Sequence, residues 1–110
     1  MSIIHMARTT AKREKKTMVS LLTIKFILPG CQSLKEKRSA IQPYISRIRK
    51  EFNVSASEVG LQDIWESSWI GIVCISNDPT HNTQVLQEVV QFTKTNFPNL
   101  EVAEDHIENY

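Results

Sequence analysis

The sequence contains few of the residues that mark disulfide scaffolds, metal centres or membrane segments. Its 110 residues include only two cysteines, Cys31 and Cys74, and these form no C-x-x-C pair. We therefore expect neither a disulfide framework nor a zinc site. The same cysteine content predicts a reducing compartment. The three histidines lack metal-ligand spacing, and no stretch approaches the ~20 apolar residues of a membrane span. The composition predicts no metal, no cofactor and no membrane partner.

Charge is nearly balanced over the whole chain but is unevenly distributed along it. The formal net charge is +1. Residues 1–17 carry five basic residues against one acid, residues 18–50 carry seven against one, and residues 51–110 carry one against ten. Such a division steers a polyanion to one side of a molecule, or it only reflects the solvated face of one basic helix. Residues 1–17 are expected to be a flexible basic arm, and residues 18–110 a single domain.

Apolar and β-branched residues predict four strands. Val19–Leu28 has one nearly continuous apolar face, and Trp69–Ser76 is apolar on both faces, as in a central strand. Glu58–Glu66 has mixed polarity, and Ser67-Ser68 suggests a tight hairpin connection to the next strand. An acidic segment with Leu100, Val102 and Ile107 predicts a final edge strand.

Helical spacing and capping residues predict two helices. Ser33 and Glu36 form a capping box before an apolar stripe that runs to Phe52. Pro43 lies inside this helix and predicts a kink or two short helical pieces. Asp78-Pro79 predicts the start of the second helix, which ends before Pro98.

The element order β-α-β-β-α-β limits the possible folds. Right-handed crossovers favour one four-stranded antiparallel sheet with both helices on one face. We therefore predict an α+β fold of the ferredoxin-like type, with the first and third strands in the centre.

Four sequence motifs together resemble a known family. They are L-P-G-x-x-S-L-K-E-K-R at 28–38, F-N-V-S-x-x-E-V at 52–59, D-x-W at 63–65 and S-N-D at 76–78. In this order and spacing they resemble the YlxP-like family of small bacterial proteins of unknown function. The resemblance implies a ferredoxin-like fold and a cytoplasmic location. Genes of this family often lie beside those for translation-initiation and ribosome-maturation factors, which implies a link to ribosomes or RNA.

The start of the first helix is the candidate anion-binding or RNA-binding site. A helix N-terminus attracts anions, so cations placed there oppose its dipole unless an anion binds between them. The alternative is that these side chains extend into water. The candidate residues are Gly30, Ser33, Lys35, Lys37, Arg38 and Arg49.

The residues leave three functional interpretations open. The first is a non-enzymatic protein that binds RNA or the ribosome through the basic helix. The second is an acylphosphatase-like phosphate-handling enzyme, although residues 29–33 hold only one glycine and no arginine. The third is a homodimer that buries the less polar face of the sheet. Trp65 and Trp69 would stack on a base, seal a dimer or cover the end of the core. No set of catalytic residues is evident.

Overall fold

A computed structural model describes residues 17–110. Apart from Thr17, the predicted basic arm lies outside the described residues and stays a prediction. The elements follow the expected order, and their bounds are β1 Met18–Ile27, α1 Leu34–Glu51, β2 Ser55–Gly60, β3 Ser67–Ser76, α2 Pro79–Asn96 and β4 Glu101–Asn109.

The sheet confirms the predicted topology. Its strand order is β2-β3-β1-β4, and every neighbouring pair is antiparallel. Strands β1 and β3 are central, as their apolar sequences predict. Burial alternates along β1, because every second side chain from Ser20 to Phe26 faces the helices. The chain has the α+β ferredoxin-like fold.

Tyr44 of α1 joins the two helices to the sheet. Its ring packs edge-on against Phe26 of β1 and against Phe97 after α2, with both centroid distances 5.0 Å. Its buried hydroxyl lies 2.7 Å from Thr93 Oγ1. Burial raises the pKa of Tyr44 to about 12, because the phenolate would lose its hydration, although the Thr93 hydrogen bond partly opposes this.

Helix α1 begins as predicted but is not interrupted. The Glu36 amide donates to Ser33 Oγ, which confirms Ser33 as the N-cap, while the Glu36 carboxylate accepts from the Gln32 amide rather than from the Ser33 amide of a full capping box. Pro43 lies inside one continuous helix, so the alternative of two helical pieces is wrong. Proline has a helix-compatible φ, and Ser39, whose carbonyl loses its donor, is exposed to water. No helix among residues 17–110 is long and apolar enough to cross a membrane.

The hairpin between β2 and β3 differs from its prediction. Strand β2 is Ser55–Gly60 rather than Glu58–Glu66, and Ser67 and Ser68 begin β3 instead of forming the turn. The connection is the loop 61–66, whose first residue, Leu61, has a positive φ of 60°. This left-handed backbone ends the strand, so the alternating pattern continues through residues 61–66 without forming a strand there.

A buried amide fixes the opposite end of the sheet. The Asn82 side chain of α2 donates to the Met18 carbonyl and to Ser20 Oγ, both at 3.1 Å. Its carbonyl oxygen accepts from Ser76 Oγ at 2.7 Å. One fully buried side chain thereby holds α2 to both central strands.

Candidate anion-binding surface on the first helix

The loop before α1 contains Gly30 in a conformation that suits glycine. Its φ is +77°, and no heavy atom lies within 4 Å of an added Cβ. Gly30 borders a shallow pocket of about 190 Å³ that Glu36 also lines. The Glu36 carboxylate places a negative charge at this pocket, which disfavours an anion there.

Ser33 uses its hydroxyl within the protein. Because Ser33 Oγ accepts from the Glu36 amide, one of the free N–H groups at the start of α1 is already satisfied. The Lys37 amide donates to the Ser33 carbonyl as the helix begins. The amino end of α1 is thus capped by its own side chains and presents fewer free donors than expected.

Lys37 does not lie at the surface with the other candidate cations. It is 2 % exposed, and its Nζ lies 2.8 Å from Glu58 Oε2 of β2. Its ammonium also donates to the carbonyls of Leu61 and Ile64 at 2.5 and 2.8 Å. These acceptors use all three of its donors, so Lys37 anchors the loop 61–66 from inside.

Glu58 and Ser68 complete this buried cluster, and sequence reasoning missed both. The Ser68 hydroxyl donates to Glu58 Oε2 at 2.6 Å, so the same oxygen receives the lysine and the serine. One sequence signal indicates the burial of the lysine: position 37 falls within the apolar stripe formed by Leu34 and Ile41. Nothing in the sequence identifies its acidic partner.

Lys35 and Arg38 are exposed on α1, and neither forms a salt bridge with any residue of the described chain. Arg38 borders a groove of about 250 Å³ between α1 and β2, together with Gln42, Gln62 and Asp63. The Asp63 carboxylate at this groove reduces, without neutralising, the positive charge of the helix.

Arg49 extends the same side of α1. It donates from Nη2 to the Ala56 carbonyl of β2 at 2.7 Å, which places it beside the edge strand. Helical spacing puts Lys35, Arg38 and Arg49 on one flank, about 21 Å long at 1.5 Å per residue. We call these three residues the cationic flank.

Arg47 lies on the opposite flank of α1 and, like Lys37, has an ionic partner. Arg47 pairs with Glu51 at 3.0 Å, and its guanidinium lies 5.2 Å from the centroid of the Phe92 ring.

The six candidate residues separate into three groups. Gly30 and Ser33 lie at the capped loop, Lys37 is internal, and the cationic flank is exposed.

Two aromatic residues near the hairpin occupy different surfaces. Trp65 is 48 % exposed in the loop 61–66 and does not cover the core. Trp69 lies on the face of the sheet that the helices leave open, with Lys25 Nζ 5.8 Å from its ring centroid. Within residues 17–110, no group of three or more His, Cys, Asp or Glu residues could hold a metal ion.

Comparison with known proteins places the chain in a family. A solved structure, the de novo designed protein Foldit4, has a TM-score of 0.49 and 14 % identity over 86 % of this chain and 97 % of that one, which adds nothing to the fold described above. The "Uncharacterized protein YlxP" of Bacillus subtilis (strain 168) is 34 % identical over 84 residues, covering 76 % of this chain and 90 % of that protein. A family model described as "Protein of unknown function (DUF503)" matches residues 19–107. The chain therefore belongs to this YlxP-like family of proteins of unknown function.

Proposed function

We propose that this chain is a non-enzymatic binding protein that contacts the phosphate backbone of RNA, on the ribosome or near it. The observation that carries the proposal is the cationic flank, whose three charges line one exposed side of α1. Lysine and arginine side chains arranged in this way bind phosphates by displacing condensed counterions. The link to the ribosome rests on the family resemblance alone.

The geometry favours contact with the backbone over recognition of sequence. Trp69 is the only aromatic residue on the described part of the open sheet face apart from Tyr110 at its end, so the face lacks the several stacked aromatics of an RNA-reading sheet. A flank about 21 Å long spans about six phosphates at 3.4 Å per nucleotide of a stacked strand. We expect binding that depends strongly on salt and weakly on sequence.

Trp65 supplies a second contact in this proposal. Lys37 fixes its loop, and Gln62 and Asp63 of the same loop border the groove that Arg38 lines. An exposed indole next to a phosphate contact can stack on an unpaired base, which contributes about 1–3 kcal/mol. The protein is therefore expected to prefer single-stranded RNA over a duplex.

Binding of a fluorescein-labelled oligouridylate, followed by fluorescence anisotropy, tests this proposal. If three phosphates are contacted, the affinity should fall about 20-fold between 50 and 200 mM salt. Removing two charges with Lys35→Gln/Arg38→Gln should weaken binding at low salt and reduce that salt effect to about threefold. Co-sedimentation with purified ribosomes at the same two salt concentrations tests the cellular partner.

A charge-matched variant separates local contact from overall charge. Arg47→Gln/Lys94→Gln removes the same number of positive charges away from the cationic flank, so it should retain most of the affinity. If both double variants lose affinity equally, the attraction is non-specific and the cationic flank is not the site. Absence of binding by the unaltered protein at 50 mM salt would refute the proposal.

No observation on the described residues favours the acylphosphatase-like alternative. That activity needs a phosphate cradle after β1, whereas here the Ser33 hydroxyl caps the helix and the Glu36 carboxylate lies at the pocket. The two features together make this loop a poor site for a phosphate.

A further inference from the structure

The sheet has one face that neither helix covers, and much of it is apolar. Along β1, the side chains of this open face alternate with the buried ones. The register between β1 and β3 puts the open-face side chains of the two strands opposite one another. Its apolar members are Val19, Leu21, Ile27, Val59, Trp69, Val73 and Ile75.

Two residues show how far these apolar side chains extend into solvent. Ile75 is 62 % exposed and Val59 is 58 % exposed. Val59 lies over Gly71, where an added Cβ would come within 3.2 Å of the valine. An antiparallel sheet that faces water on one side is normally polar there, so a contiguous apolar face indicates a surface that binds another molecule.

Charge at one edge of this face restricts the partner. Four residues of β4 pair in register with open-face residues of β1 and therefore share that face: Glu101, Glu104, His106 and Glu108. A row with three carboxylates repels RNA and anionic lipid headgroups. The partner must offer an apolar centre together with positive charge near the acidic row.

We propose that the open face binds a second copy of this chain, so that two sheets pack face to face with the helices outside. A second copy supplies the same apolar centre, and Lys25, which lies on the open face, supplies positive charge to the interface. The four strands hold 10, 6, 10 and 9 residues, and at 3.3 Å per residue and 4.8 Å between strands they give a footprint of about 550 Å². This approaches the ~800 Å² per partner of a standard stable interface.

Light scattering on the full chain after size exclusion tests the pairing. The unaltered protein should have a mass of about 25 kDa, twice the 12.6 kDa of one chain. The variant Val59→Asp/Ile75→Asp places two carboxylates on the open face and should elute at the mass of one chain. Both positions are exposed in the single chain, so its circular dichroism spectrum should not change.

The loop 61–66 provides a matched control. Ile64 and Trp65 are 47 % and 48 % exposed, and they lie off the open face, so Ile64→Asp/Trp65→Asp should remain a dimer. A single-chain mass for the unaltered protein at every concentration would overturn the proposal. It would also be overturned if the open-face variant stayed dimeric, or if the loop variant dissociated equally. The result is independent of RNA binding, because the cationic flank lies on the helix side of the sheet.

Discussion

Replacing the buried lysine of α1 tests whether the loop 61–66 is held from inside. Lys37→Met keeps the length and apolar stem of the side chain but removes the ammonium. Glu58 then loses its counterion, and the carbonyls of Leu61 and Ile64 lose a common donor. Removing one partner of a buried ion pair typically costs about 3–5 kcal/mol.

Partial exposure of the acid lowers the expected value. The side chain of Glu58 is 23 % exposed, so water can solvate part of the abandoned charge, and Ser68 still donates to it. We therefore expect Lys37→Met to reduce the free energy of unfolding by about 2–4 kcal/mol. The loss of stability in the double variant Lys37→Met/Glu58→Gln should be smaller, by at least ~1 kcal/mol, than the sum of the losses in the two single variants. The reason is that the two residues are coupled.

Urea unfolding followed by tryptophan fluorescence measures these values, since Trp65 lies in the loop and Trp69 follows it in β3. Lys35→Met, at an exposed position two residues earlier, should change stability by less than ~0.5 kcal/mol. If Lys37→Met is as mild as Lys35→Met, or if the two cluster substitutions are additive, the internal anchor is not what orders this loop.

Three further substitutions test separate parts of the fold. Asn82→Ala should cost about 3 kcal/mol in thermal unfolding, because it leaves several buried hydrogen-bonding groups unpaired; a loss below ~1 kcal/mol would show that the amide is dispensable. The raised pKa of Tyr44 means that the unfolded chain releases its proton first as pH rises above 10.0, so stability should be unaffected below pH 10 and fall by about 2–3 kcal/mol by pH 12. Tyr44→Phe should abolish that alkaline loss, and an unchanged pH profile in this variant would contradict the assignment. Gly30→Ala should cost about 1 kcal/mol in urea unfolding through its positive φ alone, and a neutral effect would mean that the loop readily changes conformation.

Local signals predicted most of the fold. Ser33 and Glu36 specify the start of α1 through contacts only a few residues apart, and Asp78 caps α2 through the Thr80 amide. The apolar sequences of β1 and β3 predict central strands, and the strand order confirms this although only one face of the sheet is covered by the helices. The β2 bounds could not be predicted, because the strand ends where Lys37 attracts two carbonyls that lie 24 and 27 residues further along the chain.

The candidate site was predicted less completely than the fold. The sequence places Lys35, Lys37 and Arg38 within four residues, yet one α-helical turn distributes them to different surroundings. Lys37 points inward because it pairs with Glu58 of β2. This partner comes near only when the chain folds, so the local sequence does not identify it. Helical spacing alone puts Arg49 on the same flank as Lys35 and Arg38, because it depends only on the helix itself.

Contacts at the two outer strands limit how large an assembly of this protein can grow. The Arg49 guanidinium occupies the Ala56 carbonyl of β2, and the β4 margin carries a row of carboxylates. Backbone groups at either border are therefore poor templates for a strand from another molecule. Growth by strand addition, which would lead to fibres, is disfavoured at both borders, so the association proposed across the open face would end with a closed pair.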